Sequence, residues 1–160
     1  MHRTEHFALI WFDPHIFDRL FIVQWFESMR KDKAYRYAFP GNSGWENVDE
    51  FESTLLTTMC LLAFDHRNTL CGFALLWPIP GGFIVTYYIY PSYRPYVDEL
   101  WKGVEDVVKN RWGDVVLMGF IWERHRAALW TAKRFGYGVC GKVKNLFGNG
   151  YDALIVAKEV

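Results

Sequence analysis

Three apolar segments follow one another in the middle of the chain, with only a short turn between each and the next. They read TTMCLLAF at residues 57–64, LCGFALLW at 70–77 and FIVTYYIY at 83–90. The intervening sequences, DHRN and PIPGG, carry the Asp, Asn, Pro and Gly that turns favour. Because consecutive strands joined by such short turns pair as neighbours, these segments predict a three-stranded antiparallel meander.

The pattern changes to a helical period after the meander. From Val97 onward, charged residues separate a stripe of apolar ones at Leu100, Trp101, Val104, Val107 and Val108. Gly113 ends this predicted helix, and the nearly all-apolar VVLMGFIW (115–122) predicts a central strand. A second helix is expected from about Arg124 to Phe135, followed by a hairpin over 137–159 with an Asn-Gly turn signal.

The first third of the chain predicts one strand and two helices. The apolar run His6–Phe12 is expected to be a strand, and it ends at Asp13-Pro14, where Asp is a good N-cap and Pro suits a first helical turn. A loop is expected over 35–47, and Asn47 can cap a short helix. The element order β-α-α-β-β-β-α-β-α-β-β predicts a single α/β domain over residues 1–160, with a mixed, mostly antiparallel sheet flanked by helices.

Composition argues against several classes of function. Eighteen basic and eighteen acidic residues cancel and no Lys/Arg run stands out, so neither nucleic acid nor a membrane is an expected partner. Cys60, Cys71 and Cys140 are odd in number and lack metal-site spacing, so we expect reduced, buried thiols and no metal. No stretch is long enough to span a bilayer and the start has no signal-peptide pattern, which predicts a cytoplasmic location.

Two segments, HRAALWTAKRFGY (125–137) and YIYPSYR (88–94), carry a family resemblance. Within 125–137, Ala128 fits a small helix residue, and Gly136-Tyr137 fits a Gly-Phe pair that turns helix into strand. The segment 88–94 is similar to the end of a fourth strand that leads into a phosphate loop. With the element order, these segments resemble the Gcn5-related N-acetyltransferase (GNAT) superfamily. That resemblance implies a GNAT-like fold in which acyl-CoA would wedge between the splayed fourth and fifth strands.

The phosphate loop that this resemblance would require departs from the family pattern. The pattern is Arg or Gln, two residues, Gly, one residue, then Gly or Ala; counted from Arg94, the glycine positions hold Val97 and Glu99. Glycine is needed because backbone N–H groups must approach the pyrophosphate closely at a helix N-terminus. Pro95 removes one N–H, while the carboxylates of Asp98 and Glu99 satisfy the helix dipole and repel a phosphate. The sequence therefore predicts that the phosphate loop is absent.

Two other positions also differ from the family pattern, and both differences argue against acyl-CoA chemistry. His125 stands where the resemblance implies an Asn that contacts CoA, and Ala132 where many members carry the Tyr that protonates the departing thiolate. We expect His125 to be a solvated residue at a helix start, and Arg94 to form an ion pair with Asp98 or Glu99. These losses predict a non-enzymatic structural or assembly protein that uses no cofactor.

A second resemblance suggests where such a protein would act. Residues 129–159, LWTAKRFGYGVCGKVKNLFGNGYDALIVAKE, are similar to the end of internal virion and head-assembly proteins of short-tailed bacteriophages, in which the Tyr is also missing. This resemblance implies a role in a phage particle, and a virion location if the chain is phage-encoded.

The alternative is an acyl-CoA-dependent N-acetyltransferase with a modified site, acting on a small amine or a peptide. Acetyl-CoA would then be the cofactor, and Tyr90, Arg94, Tyr96 and Val97 would hold it. The amine would attack the thioester directly, while backbone N–H groups around Tyr90 polarise the carbonyl.

The aromatic residues predict a contact surface. They make up 19% of the chain, including eight Trp, which is more than a core of this size usually needs. The loop YRYAFPGNSGW gathers Tyr35, Tyr37, Phe39 and Trp45 among turn-forming residues. Because Trp and Tyr often anchor protein interfaces, this loop and the first helix are expected to contact a protein partner or a second copy.

Overall fold

The computed structural model describes residues 1–160 and contains one eight-stranded sheet and five α-helices. The strands are β1 (His2–Arg3), β2 (Ala8–Trp11), β3 (Met59–Phe64), β4 (Leu70–Ile79), β5 (Gly82–Ile89), β6 (Val116–Trp122), β7 (Gly138–Val143) and β8 (Ala153–Glu159). The helices are α1 (Arg19–Lys31), α2 (Tyr35–Ala38), α3 (Val48–Thr57), α4 (Val97–Trp112) and α5 (Arg126–Arg134), and a 3-10 helix (Pro91–Tyr96) joins β5 to α4.

The strand order of the sheet is β1-β2-β3-β4-β5-β6-β8-β7. Only β5 and β6 run parallel, and every other neighbouring pair is antiparallel. The predicted α/β class and mixed, mostly antiparallel sheet are therefore confirmed, and so are the meander (β3, β4 and β5) and the final hairpin (β7 and β8). β8 lies between β6 and β7, so the hairpin adds to the sheet through its second strand.

Helices cover both faces of the sheet, which explains why its central strands are apolar along their whole length. In β4, Ala74 and Leu76 face the side covered by α4, whereas Phe73 and Leu75 face α1 and α3. The α4 stripe predicted from the sequence supplies Leu100, Trp101, Val104 and Val108 to the first core. The second core is rich in aromatic rings, and Trp25 of α1 meets Phe51 of α3 edge-on at 4.8 Å.

The parallel strands β5 and β6 touch at one end only. Residues 82–84 pair with residues 116–118, and beyond this point no pairing joins the two strands. Gly82 permits the contact, because a Cβ at this position would lie 1.8 Å from the carbonyl oxygen of Val116. β5 and β6 therefore diverge toward their carboxyl ends and leave a wedge-shaped opening in the sheet.

The N-terminal region differs from the prediction in three places. A short β1 pairs with β2, and the four-residue α2 lies inside the predicted loop. Helix α1 begins at Arg19 rather than after Asp13, and Asp18 is its N-cap, accepting the N–H of Phe21 at 2.9 Å. Asp13 instead organises a turn through its bond to the N–H of His15. None of the helices has the length and apolar character needed to cross a membrane.

Candidate functional site

A cleft opens where β5 and β6 separate, and it continues outward between α4 and α5. Its outer part has a volume of about 420 Å³, and a smaller space of about 60 Å³ reaches between the two strands. Apolar residues predominate in the lining, which includes Ile89, Pro95, Val97, Trp101, Ala128 and Trp130. The charged groups at its rim are Arg94, Asp98 and Arg134. A cleft of this size and character suits a small organic ligand.

Two tyrosines form the inner wall of the cleft. Tyr87 stacks on Trp101 with ring centroids 4.3 Å apart, and Tyr137 meets the same Trp101 edge-on at 5.7 Å. Both hydroxyl oxygens are buried without a hydrogen-bond partner. Burial raises the pKa of both phenols well above the usual value, and the charge of nearby Glu105 raises it further. Both hydroxyls therefore stay neutral at physiological pH.

Arg94 lies at the mouth of the cleft, but its guanidinium is already engaged. It donates to Asp32 Oδ2 at 2.5 Å, and the hydroxyl of Tyr88 donates to the same oxygen at 2.5 Å. The Asp32 side chain is only 6% exposed, so its charge requires a cation nearby. Arg94 does form an ion pair, as predicted. The predicted partners, Asp98 and Glu99, are wrong, because the partner is Asp32 at the end of α1.

The two acids in the first turn of α4 are also engaged within the protein. Asp98 forms an ion pair with Arg134, which joins the start of α4 to the end of α5 across the cleft mouth. Glu99 turns the other way and accepts from the hydroxyl of Thr4 at 2.5 Å and from the backbone N–H of His6 at 2.7 Å. The His6 ring nitrogen Nδ1 lies 2.7 Å from the other carboxylate oxygen of Glu99.

One group of three side chains has the composition of a metal site. Glu5, His6 and Glu99 place one ligand atom each within 4.8 Å of one another. Glu99 already accepts three protein hydrogen bonds, so a metal would have to displace some of them.

The cysteines are all free thiols. Cys60 and Cys71 are buried as expected, but Cys140 is exposed because it lies on β7 at the edge of the sheet.

Of the four residues predicted to hold acyl-CoA, only Arg94 and Val97 line the cleft. The hydroxyl of Tyr90 donates to the carbonyl of Trp25 at 3.1 Å and lies 2.8 Å from Ser28 Oγ, so it is directed toward α1. The N–H of Tyr90 donates to Cys71 and is not free to polarise a thioester. Tyr96 stacks on His6 with centroids 4.2 Å apart and lies outside the cleft.

His125 is half-buried and lines the cleft, so the prediction of a solvated residue is wrong. Burial, together with the positive charge of Arg94, lowers the pKa of His125 to about 4. An imidazole of this pKa is neutral at pH 7 but is a weak base, far from the value that suits general-base catalysis. Ala132 is fully buried in the first core, where it has no group that could protonate a thiolate.

The predicted contact loop is largely part of the second core. Phe39 is 6% exposed, so it is not available to a partner, and this part of the prediction is corrected. Half-buried Trp45 packs against Phe39 and Phe51 at 4.8 Å each, and Tyr35 against Phe39 at 5.3 Å. The loop carries so many aromatics because Phe39 belongs to the second core and Tyr35 and Trp45 pack against it. Tyr37 alone lies apart, against Trp122 and His125 beside the cleft.

Several residues of the site were not anticipated from the sequence. Asp32, Trp130 and Arg134 are distant in the chain from Arg94, and only the fold brings them together: Trp130 and Arg134 line the cleft, and Asp32 pairs with Arg94 at its mouth. Asp98 and Glu99, which follow Arg94 in the sequence, indicate that ion pairs form here. The sequence does not show which cation pairs with each acid.

Comparison with known proteins identifies the fold. The chain matches no protein-family model and no curated protein sequence. It is similar to the solved structure of spermidine N-acetyltransferase from Vibrio cholerae in complex with CoA and spermine, at 13% identity over 98% of this chain and 96% of that one, with a TM-score of 0.77. An acetyltransferase from Salmonella typhimurium that modifies the N-terminal serine of ribosomal protein L7/L12 matches at 13% identity, 98% and 96% coverage and a TM-score of 0.76.

A GNAT-family acetyltransferase from Bacillus anthracis is also similar, at 10% identity, with 98% and 96% coverage and a TM-score of 0.73. These likenesses span almost the whole of each chain and show that the protein has the GNAT fold. At such low identity they establish the fold alone.

Proposed function

We propose that this protein is a non-enzymatic assembly component that uses the GNAT fold without acyl-CoA chemistry. The observation that carries the proposal concerns the start of α4. The arginines there that could bind a pyrophosphate form ion pairs within the protein instead. Arg94 is held by Asp32, and Arg134 is held by Asp98. Glu99 occupies the second glycine position of the family pattern, and its carboxylate accepts hydrogen bonds from Thr4 and His6.

Electrostatics favour this proposal over cofactor binding. A pyrophosphate at the start of α4 would meet the carboxylate of Asp98, which lines the cleft, while Glu99 adds a second negative charge to the same helical turn. Two like charges 4 Å apart repel by about 1 kcal/mol in water and about 4 kcal/mol near a protein surface. Binding would also require Arg94 to leave Asp32, whose charge would then lie buried without a partner.

The proposed activity is contact with another protein, through exposed apolar residues on the helical face. Ile16 is 69% exposed, Leu20 63% and Leu56 57%. Leu20 lies on α1 and Leu56 on α3, two helices that Arg19 bridges through its bonds to Asp49 and Glu52. The resemblance of residues 129–159 to phage head-assembly proteins supports a partner within a phage particle, and a virion location if the chain is phage-encoded.

A titration with acetyl-CoA tests the loss of the cofactor site. We expect millimolar acetyl-CoA to leave the melting temperature of the protein unchanged. A ligand present at a hundred times its dissociation constant would stabilise the fold by about 2.7 kcal/mol, which such a measurement detects easily. A clear stabilisation by acetyl-CoA would contradict the proposal.

The second candidate is an N-acetyltransferase with acetyl-CoA as cofactor and a small amine or peptide as acceptor. It is favoured by the divergence of β5 and β6 and by the cleft that this divergence opens. This candidate predicts that acetyl-CoA stabilises the wild type and that Arg94→Gln abolishes the effect. Val97→Gly together with Glu99→Gly would restore the family pattern, but Glu99 anchors Thr4 and His6, so we expect Glu99→Gly to lower stability as well.

A further inference from the structure

A second cavity, the arginine pocket, lies at the carboxyl end of β6. Its volume is about 500 Å³, and Arg36, Arg124 and Arg126 line it together with Tyr37, Trp122 and Tyr151. Arg36 comes from α2, whereas Arg124 and Arg126 flank the start of α5. No acidic side chain lines the pocket. Three cations from two parts of the chain therefore surround one space without a counter-ion.

None of these three arginines has a carboxylate partner anywhere in the protein. Arg19, Arg94 and Arg134 all form ion pairs with carboxylates. Arg36 instead makes a hydrogen bond of 3.3 Å to the hydroxyl of Tyr37, and Arg124 and Arg126 make no side-chain hydrogen bond.

The acids closest in sequence to the pocket are occupied by another cation. Lys142 Nζ lies 3.0 Å from Glu123 and 3.5 Å from Asp152. The pocket therefore keeps its positive charge although the whole chain has a net charge of zero.

Arg126 is the first residue of α5, and its positive charge at this position destabilises the helix unless an anion lies nearby. The first turn of α5 holds no acid, and its N-cap residue His125 makes no side-chain capping bond. The start of a helix carries the positive end of the helix dipole, where acids are stabilising and cations destabilising. An anion in the pocket would neutralise both the arginines and the helix end.

The aromatic residues form a packed wall of the pocket. Trp122 contacts Tyr37 and Tyr151, with ring centroids 5.4 Å and 5.2 Å away. Because these rings are engaged with one another, they are poorly placed to stack on a flat ligand. Arg36, Arg124 and Arg126 are exposed, so this wall borders their charges on one side only, where charge interactions are stronger than in open solvent.

We propose that the arginine pocket binds a phosphorylated small molecule, with Arg36, Arg124 and Arg126 contacting its phosphate oxygens. Guanidinium groups match phosphate geometry with two parallel hydrogen bonds each, and three of them suit a group that carries two or more negative charges. The volume of the pocket is within the range of small-molecule sites. This site is separate from the phosphate loop of the family, so it does not depend on the proposed function.

Calorimetry at low salt tests the site, with inorganic pyrophosphate and ADP as probes. We expect both to bind the wild type and to raise its melting temperature. Each of Arg36→Gln, Arg124→Gln and Arg126→Gln should weaken binding roughly tenfold or more, since a hydrogen bond to a charged group is worth about 1.5–3 kcal/mol. Arg67→Gln is the matched control, because Arg67 is an exposed arginine in the β3–β4 turn, and it should bind as the wild type does.

The same variants separate the site from a general effect of charge. Arg126→Gln should raise the melting temperature of the ligand-free protein slightly while it reduces the response to pyrophosphate. No response of the wild type to either probe at millimolar concentration overturns the proposal, and so does an equal loss in Arg67→Gln. A single-stranded oligonucleotide that binds more than about a hundredfold more tightly than ADP also overturns it, in favour of nucleic acid.

Discussion

Glu99 is a residue whose role in the fold conflicts with phosphate binding. Its carboxylate gathers the hydroxyl of Thr4, the backbone N–H of His6 and the imidazole of His6, and so attaches the first residues of the chain to α4. Burial alone would raise the pKa of Glu99, but the hydrogen bonds from Thr4 and His6 outweigh it and lower that pKa. The hydrogen bond to Glu99 in turn raises the pKa of His6.

These shifts predict a pH dependence of stability. A lowered carboxyl pKa stabilises the fold above its usual value of 4.5, and this contribution is lost as the pH falls through the folded value. A raised imidazole pKa stabilises below its usual value of 6.5, and this contribution is lost as the pH rises through the folded value. The pair should therefore contribute most between those two values, and Glu99→Gln should lower the free energy of unfolding there by about 1–2 kcal/mol.

Urea unfolding of both proteins across this pH range measures the effect, with Asp98→Asn as the control. Asp98 is 53% exposed and pairs only with Arg134, so its loss should cost less than about 1 kcal/mol. A variant Glu99→Gln whose stability follows the same pH profile as the wild type would contradict the assignment.

Among the elements, α1 shows how a correct prediction of helix can miss its start. Asp13-Pro14 has the composition of a helix start, but Asp13 forms only a turn, and α1 begins at Arg19 with Asp18 as N-cap. Both aspartates precede apolar residues at helical spacing, so the sequence does not distinguish them. The choice depends on where the buried face of α1, with Ile22, Trp25 and Phe26, meets the sheet.

Removal of each aspartate separates the two roles. Asp18→Ala should lower the free energy of unfolding by about 1 kcal/mol, because it leaves the N–H of Phe21 without its acceptor. Asp13→Ala should lower the free energy of unfolding by a smaller amount, because the hydrogen bond from the N–H of His15 to Asp13 lies in an exposed turn. Denaturant melts of the two variants decide the matter, and equal losses would mean that the turn at Asp13 contributes as much as the cap.

At the scale of the whole molecule, two aromatic-rich cores leave few large rings free for a partner. The indole Nε1 of Trp45 donates to Thr54 at 2.8 Å, and its ring lies between Phe39 and Phe51. Trp45→Ala should therefore lower the free energy of unfolding by about 2–4 kcal/mol, as expected for a mostly enclosed Trp. Tyr37→Ala should lower the free energy of unfolding by about half of this amount or less, because Trp122 and His125 are the only aromatic rings that Tyr37 packs against.

Thermal unfolding of the single variants tests this assignment, and sedimentation tests assembly. If Trp45→Ala keeps wild-type stability and loses assembly, Trp45 belongs to an interface and its assignment to the core is wrong. Leu20→Ser, on the exposed face of α1, should leave the fold intact and weaken assembly.

Hydrophobic period and turn chemistry determined the strands and helices by themselves. The meander at 57–90, the strand at 115–122 and the stripe of α4 are local patterns, and burial on a two-sided sheet leaves little choice about where such segments lie. The identity of residues 95–99 likewise determined that no glycine stands at positions 97 and 99, where the GNAT pattern would place them, since this needs no knowledge of contacts.

Only the tertiary structure decided which charges meet. Arg94 and Asp32 are 62 residues apart in the chain, and Arg134 and Asp98 are 36 apart, so no local pattern connects them. The same holds for the arginine pocket, where α2 brings Arg36 to a pair of arginines that the sequence places at a helix start. Packing of the helices on the sheet sets these distances. Because electrostatic interactions depend on distance and burial rather than on order in the chain, the chemistry of both sites follows from the fold.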